Sequence, residues 1–155
     1  MKKRLFTLLL ALALLASLIP QTALPVRAAG AVAINATNFP DANFRSKISS
    51  NFDRNGDGSL SEEEISKATD LYVGYSSITS LQGIKFLTGL KTLSCNGNKL
   101  TTLDVSKNPA LESLSCSDNQ LTKLNLDINT SLKELKCDYN PLGDLVVKRN
   151  TALET

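Results

Sequence analysis

A chain of 155 residues with 21% charged side chains, 17 Lys and Arg against 15 Asp and Glu, is long enough for one ordinary domain and is not a polyelectrolyte. Histidine is absent, which excludes histidine-based triads, histidine-ligated zinc and the commonest general base. Three cysteines cannot all pair within one chain, and there is no basic patch interleaved with aromatics of the kind that binds nucleic acid.

The chain opens on the basic run Met1-Lys2-Lys3-Arg4. Leu5 to Ile19 is apolar apart from Thr7 and Ser17, Pro20 breaks the run, and Val26-Arg27-Ala28 places small residues at the −3 and −1 positions of a cleavage site. Residues 1–28 therefore read as a secretory signal peptide. The apolar run is shorter than the ~20 residues a spanning helix needs, so the chain is not expected to span a membrane. With no cysteine near the cleavage site, a bacterial lipid anchor is not expected either. Removing Lys2, Lys3, Arg4 and Arg27 leaves 13 basic residues against 15 acidic ones, so the exported chain carries about −2 instead of +2. The expected location is secreted or extracellular, with display on a bacterial surface as one form of it.

Residues 29–67 form the next segment. Phe44, Ile48 and Phe52 fall at i, i+4 and i+8 within Ala42–Phe52, one face of a helix, and Asp41 is placed to cap it. Then comes DRNGDGSLSEEE, Asp53 to Glu64. Counted from Asp53, acids or amides stand at positions 1, 3 and 5 (Asp53, Asn55, Asp57), and Gly58 stands at position 6, where the loop must turn. Ser59 at position 7 offers a backbone carbonyl, Ser61 at 9 acts directly or through water, and Glu64 at 12 offers two carboxylate oxygens. Calcium takes 6–8 hard oxygen ligands, and this is the spacing that supplies them in an EF-hand. Glu62, Glu63 and Glu64 place acids in the first turn of a second helix. Leu60, at position 8, would ordinarily meet a partner loop. Only one such loop is present, so its helices are expected to pack on the first coil of the C-terminal segment and cap it.

That C-terminal segment, 68–155, is a repeat. From Leu90 the chain divides into LKTLSCNGNKLTTLDVSKNPA, LESLSCSDNQLTKLNLDINTS and LKELKCDYNPLGDLVVKRNTA, each 21 residues long, with Cys95, Cys116 and Cys137 in register. Leucine returns at 90, 111, 132 and 153, at 93, 114 and 135, and at 100, 121 and 142. Asparagine returns at 98, 119 and 140 and again at 108, 129 and 150. L-x-x-L-x-C-x-x-N-x-L is the leucine-rich repeat signature with cysteine in an apolar slot. One such unit cannot bury its leucines alone, so neighbours stack and the leucines become columns of a shared core. The asparagines are placed to satisfy backbone groups where each coil turns. A degenerate coil fits in front, with Asp70-Leu71-Tyr72-Val73 as its strand. The cysteines are expected to be free, buried thiols acting as small hydrophobes, not a metal or redox site.

The expected fold is thus an α/β leucine-rich repeat solenoid with short parallel strands, preceded by a helical EF-hand cap. The motifs together resemble secreted bacterial leucine-rich repeat proteins, in particular internalin-type surface proteins with a cysteine ladder and an EF-hand-bearing segment before the repeats. The resemblance spans Ile34 to Thr155. It implies a curved solenoid that binds proteins or glycans on its concave face. The side chains expected there are Thr92, Ser94 and Asn96, then Ser113, Ser115 and Ser117, then Glu134, Lys136 and Asp138, with Tyr139 beside them. Members of that family usually carry more coils and a closing cap, whereas this sequence stops just after a fourth coil begins, so a non-catalytic appendage or truncated fragment of a larger secreted multidomain enzyme is the alternative. Calcium is the expected cofactor. No catalysis is expected: the sequence offers no nucleophile motif, no histidine and no pocket-forming insertion, and the paired carboxylates Asp53 and Glu64 are explained by calcium.

Overall fold

The computed structural model describes residues 30–154. The signal peptide expected over 1–28 lies outside the described residues. Among the described residues no helix is long and apolar enough to cross a membrane.

The elements run β1 (Val32–Ala33), α1 (Ala42–Phe52), β2 (Ser59–Leu60), α2 (Glu62–Ser66), β3 (Asp70–Tyr72), a 3-10 turn (Ile84–Phe86), β4 (Thr92–Ser94), β5 (Ser113–Ser115) and β6 (Glu134–Lys136). Helix α1 starts where Asp41 Oδ1 accepts from the Phe44 N–H at 2.9 Å, and it buries Phe44, Ile48 and Phe52. Helix α2 has only five residues. Ser61 and Glu64 form a capping box that satisfies its first turn, with three glutamates next to the positive end of the helix.

Strands β3 to β6 form one parallel sheet in sequence order. Leu71 pairs with Leu93, Leu93 with Leu114, and Leu114 with Leu135. The register therefore steps by 22 residues once and by 21 thereafter, as the repeat requires. Leu71, Leu93, Leu114, Cys95 and Cys116 are buried, as are Leu90, Leu111 and Leu132 of the neighbouring column. Each fully buried leucine contributes roughly 2–3 kcal/mol.

The cap and the solenoid share one core. Phe39 lies 6.0 Å, centroid to centroid, from Phe44 of α1 and 5.8 Å from Phe86 of the 3-10 turn. Gly83 is required at that seam. Its φ is +108°, and a Cβ there would stand 2.4 Å from Phe39 Cδ1 and 2.5 Å from the Asn38 carbonyl oxygen. Helix α1 buries Phe44, Ile48 and Phe52 in this shared core. Leu60, at the position that would ordinarily meet a partner loop, pairs instead with a short strand: β2 runs antiparallel to β1, Leu60 opposite Val32.

The buried state expected for all three thiols holds for Cys95 and Cys116 only. All three are free, but Cys137 is half-buried because it lies just after the last strand, with no coil beyond it among the described residues.

Candidate functional site

Two regions carry the polar groups singled out in the sequence: the loop from Asp53 to Glu64 and the outward face of the parallel sheet.

In the loop, the side chains at positions 1, 3 and 5 fold back onto the backbone. Asp53 Oδ1 and Asn55 Oδ1 both accept from the Asp57 N–H, at 3.1 and 3.0 Å, and Asp53 Oδ2 accepts from the Gly58 N–H at 3.0 Å. Asp57 Oδ1 accepts from the Ser59 N–H at 2.8 Å. Gly56 and Gly58 have φ of +70° and +75°, the left-handed turns that bring those oxygens to one side. The Ile34 N–H donates to the Gly58 carbonyl at 2.9 Å. In an antiparallel pair hydrogen-bonded partners alternate, so Ser59 directs its own N–H and carbonyl away from β1 and toward the loop.

Glu64 closes the loop from its far end. It is 7% exposed, Oε1 accepts from the Arg54 N–H at 2.8 Å, and Oε2 accepts from the Ser61 N–H and hydroxyl at 2.9 and 2.8 Å. The Ser61 N–H above all holds its carboxyl below the ordinary glutamate range. Among the described residues no three Asp, Glu, Cys or His side chains converge into a metal-holding cluster. Like charges repel, and each carboxylate has a nearby N–H to turn to. The donor set still fits a hard cation, since every group is an oxygen and the Ser59 carbonyl already faces inward.

The outward face is arranged in columns: Asp70, Thr92, Ser113, Glu134; then Tyr72, Ser94, Ser115, Lys136; then Gly74, Asn96, Ser117, Asp138. The pairing register aligns six of the nine expected face residues within the strands, and Asn96, Ser117 and Asp138 continue the face just beyond the strand ends. Thr92, Ser94, Asn96 and Ser113, Ser115, Ser117 are half-exposed, and Glu134, Lys136 and Asp138 are exposed. The Ser113 hydroxyl donates to Glu134 Oε2 at 3.1 Å along its column. At one edge Lys91, Glu112 and Lys133 alternate in charge, Glu112 lying 3.7 Å and 2.7 Å from the two ammonium groups. The sequence reading missed Tyr72 and Tyr75 of the first coil, 64% and 78% exposed. The alternation Leu71-Tyr72-Val73 was the available signal, since it turns Tyr72 outward.

The asparagine columns hold the coils together. Asn119 Nδ2 donates to the Cys95 and Cys116 carbonyls, both at 3.0 Å, while its Oδ1 accepts from the Leu100 N–H at 3.1 Å. Asn98 and Asn140 repeat the pattern one coil either side. In the second series Asn129 Nδ2 donates to the Val105 and Asn108 carbonyls at 3.1 and 2.8 Å. Burial pushes the Cys116 thiol up to about 12 and raises Cys95 further, so neither forms a thiolate near neutral pH.

Stacked 21-residue coils, one parallel strand per coil, leucine columns inside and asparagine columns at the turns define a leucine-rich repeat solenoid. The chain is similar to Internalin J of Listeria monocytogenes serotype 4b (strain F2365), 43% identical over 70 residues, which is 45% of this chain and 8% of that protein. The solved functional domain of internalin J from Listeria monocytogenes, which includes a cysteine ladder, superposes with a TM-score of 0.73 at 40% identity, over 79% of this chain and 27% of that one. An internalin (inlF) from strain 4b F2365 superposes with a TM-score of 0.69 at 29% identity, over 76% and 35% of the two chains. The chain thus spans less than a tenth of the curated relative's length. No protein-family model matches it.

Proposed function

We propose that this chain is a secreted or surface-displayed, calcium-stabilised leucine-rich repeat module that binds protein or glycan partners on its concave sheet face and performs no catalysis. The observation that carries the reading is the sheet itself: two adjacent rows of small neutral side chains, Thr92-Ser94-Asn96 and Ser113-Ser115-Ser117, beside the charged row Glu134-Lys136-Asp138. A face built this way offers many hydrogen-bonding groups on a stiff support and little to bury on its own account. The likeness to internalin J, with its own cysteine ladder, and the signal expected over 1–28 support export and display.

Calcium belongs to the same proposal. Asp53, Asn55 and Asp57 would hold it through their side chains, Ser59 through its carbonyl, Ser61 directly or through water, and Glu64 through its carboxylate. Its chemistry there is structural: it offsets the repulsion of three carboxylates and ties the end of α1 to the start of α2. What supports it is the inward-facing Ser59 carbonyl and the all-oxygen donor set.

The test is a screen of the signal-free chain against arrayed extracellular proteins and arrayed glycans, run beside Ser115→Arg. That substitution puts a long cation in the centre of the face without touching the core. Loss of the wild-type hits with an unchanged melting temperature is expected; identical hits for both proteins would place binding elsewhere.

A further inference from the structure

Asparagine followed by glycine occurs twice in the chain, at Asn55-Gly56 and at Asn96-Gly97. The pair carries its own chemistry. With no side chain on the second residue, its backbone nitrogen can reach the asparagine amide carbon and close a five-membered ring. Whether it does so depends on what already holds that nitrogen, and there the two pairs differ.

At Asn96-Gly97 the nitrogen is engaged. The Gly97 N–H donates to the Ser117 carbonyl at 3.0 Å, one rung of the ladder between coils. Asn96 is half-buried, and its Oδ1 is shielded from solvent. The Tyr75 ring lies over Gly97, close enough that a Cβ there would stand 2.3 Å from Cδ1. Ring closure at this pair has to break the rung and displace the tyrosine.

At Asn55-Gly56 nothing stands in the way. Both residues are exposed. Among the described residues the Gly56 N–H donates to no acceptor, and a Cβ built on Gly56 would meet nothing within 4 Å. The asparagine amide is oriented as well. Its Oδ1 accepts from the Asp57 N–H at 3.0 Å, across Gly56, and this turn folds the amide carbon back toward the Gly56 nitrogen. The same N–H lies where negative charge develops on Oδ1 during attack. Asn55 Nδ2, the nitrogen that must leave, donates to Asp57 Oδ2 at 2.9 Å, so the amide is held at both ends.

We infer that Asn55-Gly56 is a self-modification site, at which the Asp53–Glu64 loop loses an amide by reaction with water alone. The Gly56 nitrogen gives its proton to solvent and bonds to Asn55 Cγ. The Cγ–Nδ2 bond breaks, and Nδ2 takes a proton back from solvent and leaves as ammonia. Water then adds to either carbonyl carbon of the ring, and the C–N bond at that carbon breaks. Position 55 is left as aspartate or isoaspartate, with nothing oxidised or reduced. Either product alters the loop. Aspartate sets a fourth carboxylate beside Asp53, Asp57 and Glu64. Isoaspartate carries the main chain through its side chain, an extra backbone atom that shifts Asp57 and Ser59 out of register with Asp53. A cation in the loop would hold Asn55 Oδ1 and keep the ring from closing; this protection, unlike the site itself, rests on the calcium reading above.

The experiment is prolonged warm incubation of the signal-free chain at neutral pH, in chelator and in about 2 mM calcium. Peptide mapping by mass spectrometry, with chromatography to separate aspartate from isoaspartate, follows both pairs in one sample. Gly56→Ala runs alongside, because its methyl group has room but crowds the attacking nitrogen. In chelator Asn55 should gain one mass unit, largely as isoaspartate, about tenfold or more faster than Asn96, whose reaction waits on breaking the Gly97 rung. Gly56→Ala should slow the reaction at Asn55 and leave Asn96 unchanged. Calcium should slow it about tenfold or more in the wild type. Equal rates at the two pairs in chelator, or an Asn55 that stays intact, overturns the inference. Reaction at Asn55 that outpaces Asn96 equally in calcium and in chelator upholds the modification site and removes the calcium reading instead.

Discussion

Asn119→Ala tests how the coils are held. Asn119 is 7% exposed and spans two coils. Its Oδ1 accepts from the Leu100 N–H at 3.1 Å, and its Nδ2 donates to the Cys95 and Cys116 carbonyls at 3.0 Å each. Those carbonyls each keep a second partner, Asn98 at 2.9 Å and Asn140 at 2.9 Å. The Leu100 N–H keeps none from the column. An orphaned buried donor costs about 1–3 kcal/mol, and each of the two carbonyls losing one of two partners adds about 0.5–1 kcal/mol, so the total is about 2–5 kcal/mol. Asn140→Ala makes the same chemical change on the last coil, where water reaches the freed groups, and should cost about 1–2 kcal/mol. Asn119→Asp keeps the acceptor for Leu100 but sets carboxylate oxygens against two carbonyls. Its folded-state pKa rises, so the folded form binds the extra proton, and this variant should gain stability as pH falls through that raised value. Urea titration at fixed calcium reads all three. Equal costs for Asn119→Ala and Asn140→Ala, or a cost below about 1 kcal/mol for the first, would refute the coupling of coils through this column.

Asp41 joins cap to solenoid, capping Phe44 with one oxygen and accepting from the Thr79 N–H and hydroxyl at 2.8 and 2.7 Å with the other. Asp41→Ala should cost about 2 kcal/mol in the same urea assay. Burial opposes the Asp41 charge, but the Phe44 and Thr79 donors outweigh it and hold its carboxyl below the ordinary range, as the Ser61 N–H does for Glu64. Both contributions are therefore complete above the unfolded pKa values of about 3.9 and 4.3 and are lost as pH falls below them. Thermal melts should stay flat from neutral pH to about pH 5 and fall below it, and Asp41→Asn with Glu64→Gln should flatten that acid limb. With a neutral alkylating reagent Cys137 should react first in the native protein, and Cys95 and Cys116 only on global unfolding, read by mass.

The solenoid was legible because each column repeats one residue type: leucine, cysteine and asparagine return every 21 residues, and any coil predicts its neighbours. The Asp53–Glu64 loop was legible for a different reason, since its spacing belongs to one contiguous stretch and depends on no tertiary contact. What escaped was set by contacts far apart in sequence. Val32–Ala33 is two small residues with no period, and only the loop across from it makes it a strand. The exposure of Cys137 follows from its place at the last strand and not from its own coil, which matches the others. Tyr75 falls where the coil offset is 22, so the left-handed column that also holds Gly97, Asp118 and Tyr139 was out of step by one.

The calcium loop is the part of the account most open to direct test. Calorimetric melting of the signal-free chain in about 2 mM calcium and in chelator, beside Glu64→Gln, measures it. With a dissociation constant of about 10⁻⁴ M, about 2 mM calcium adds about 2 kcal/mol, a rise of about 5–10 °C in melting temperature. The account predicts that rise for the wild type and its loss in Glu64→Gln. Superposable wild-type melts in calcium and chelator would contradict it.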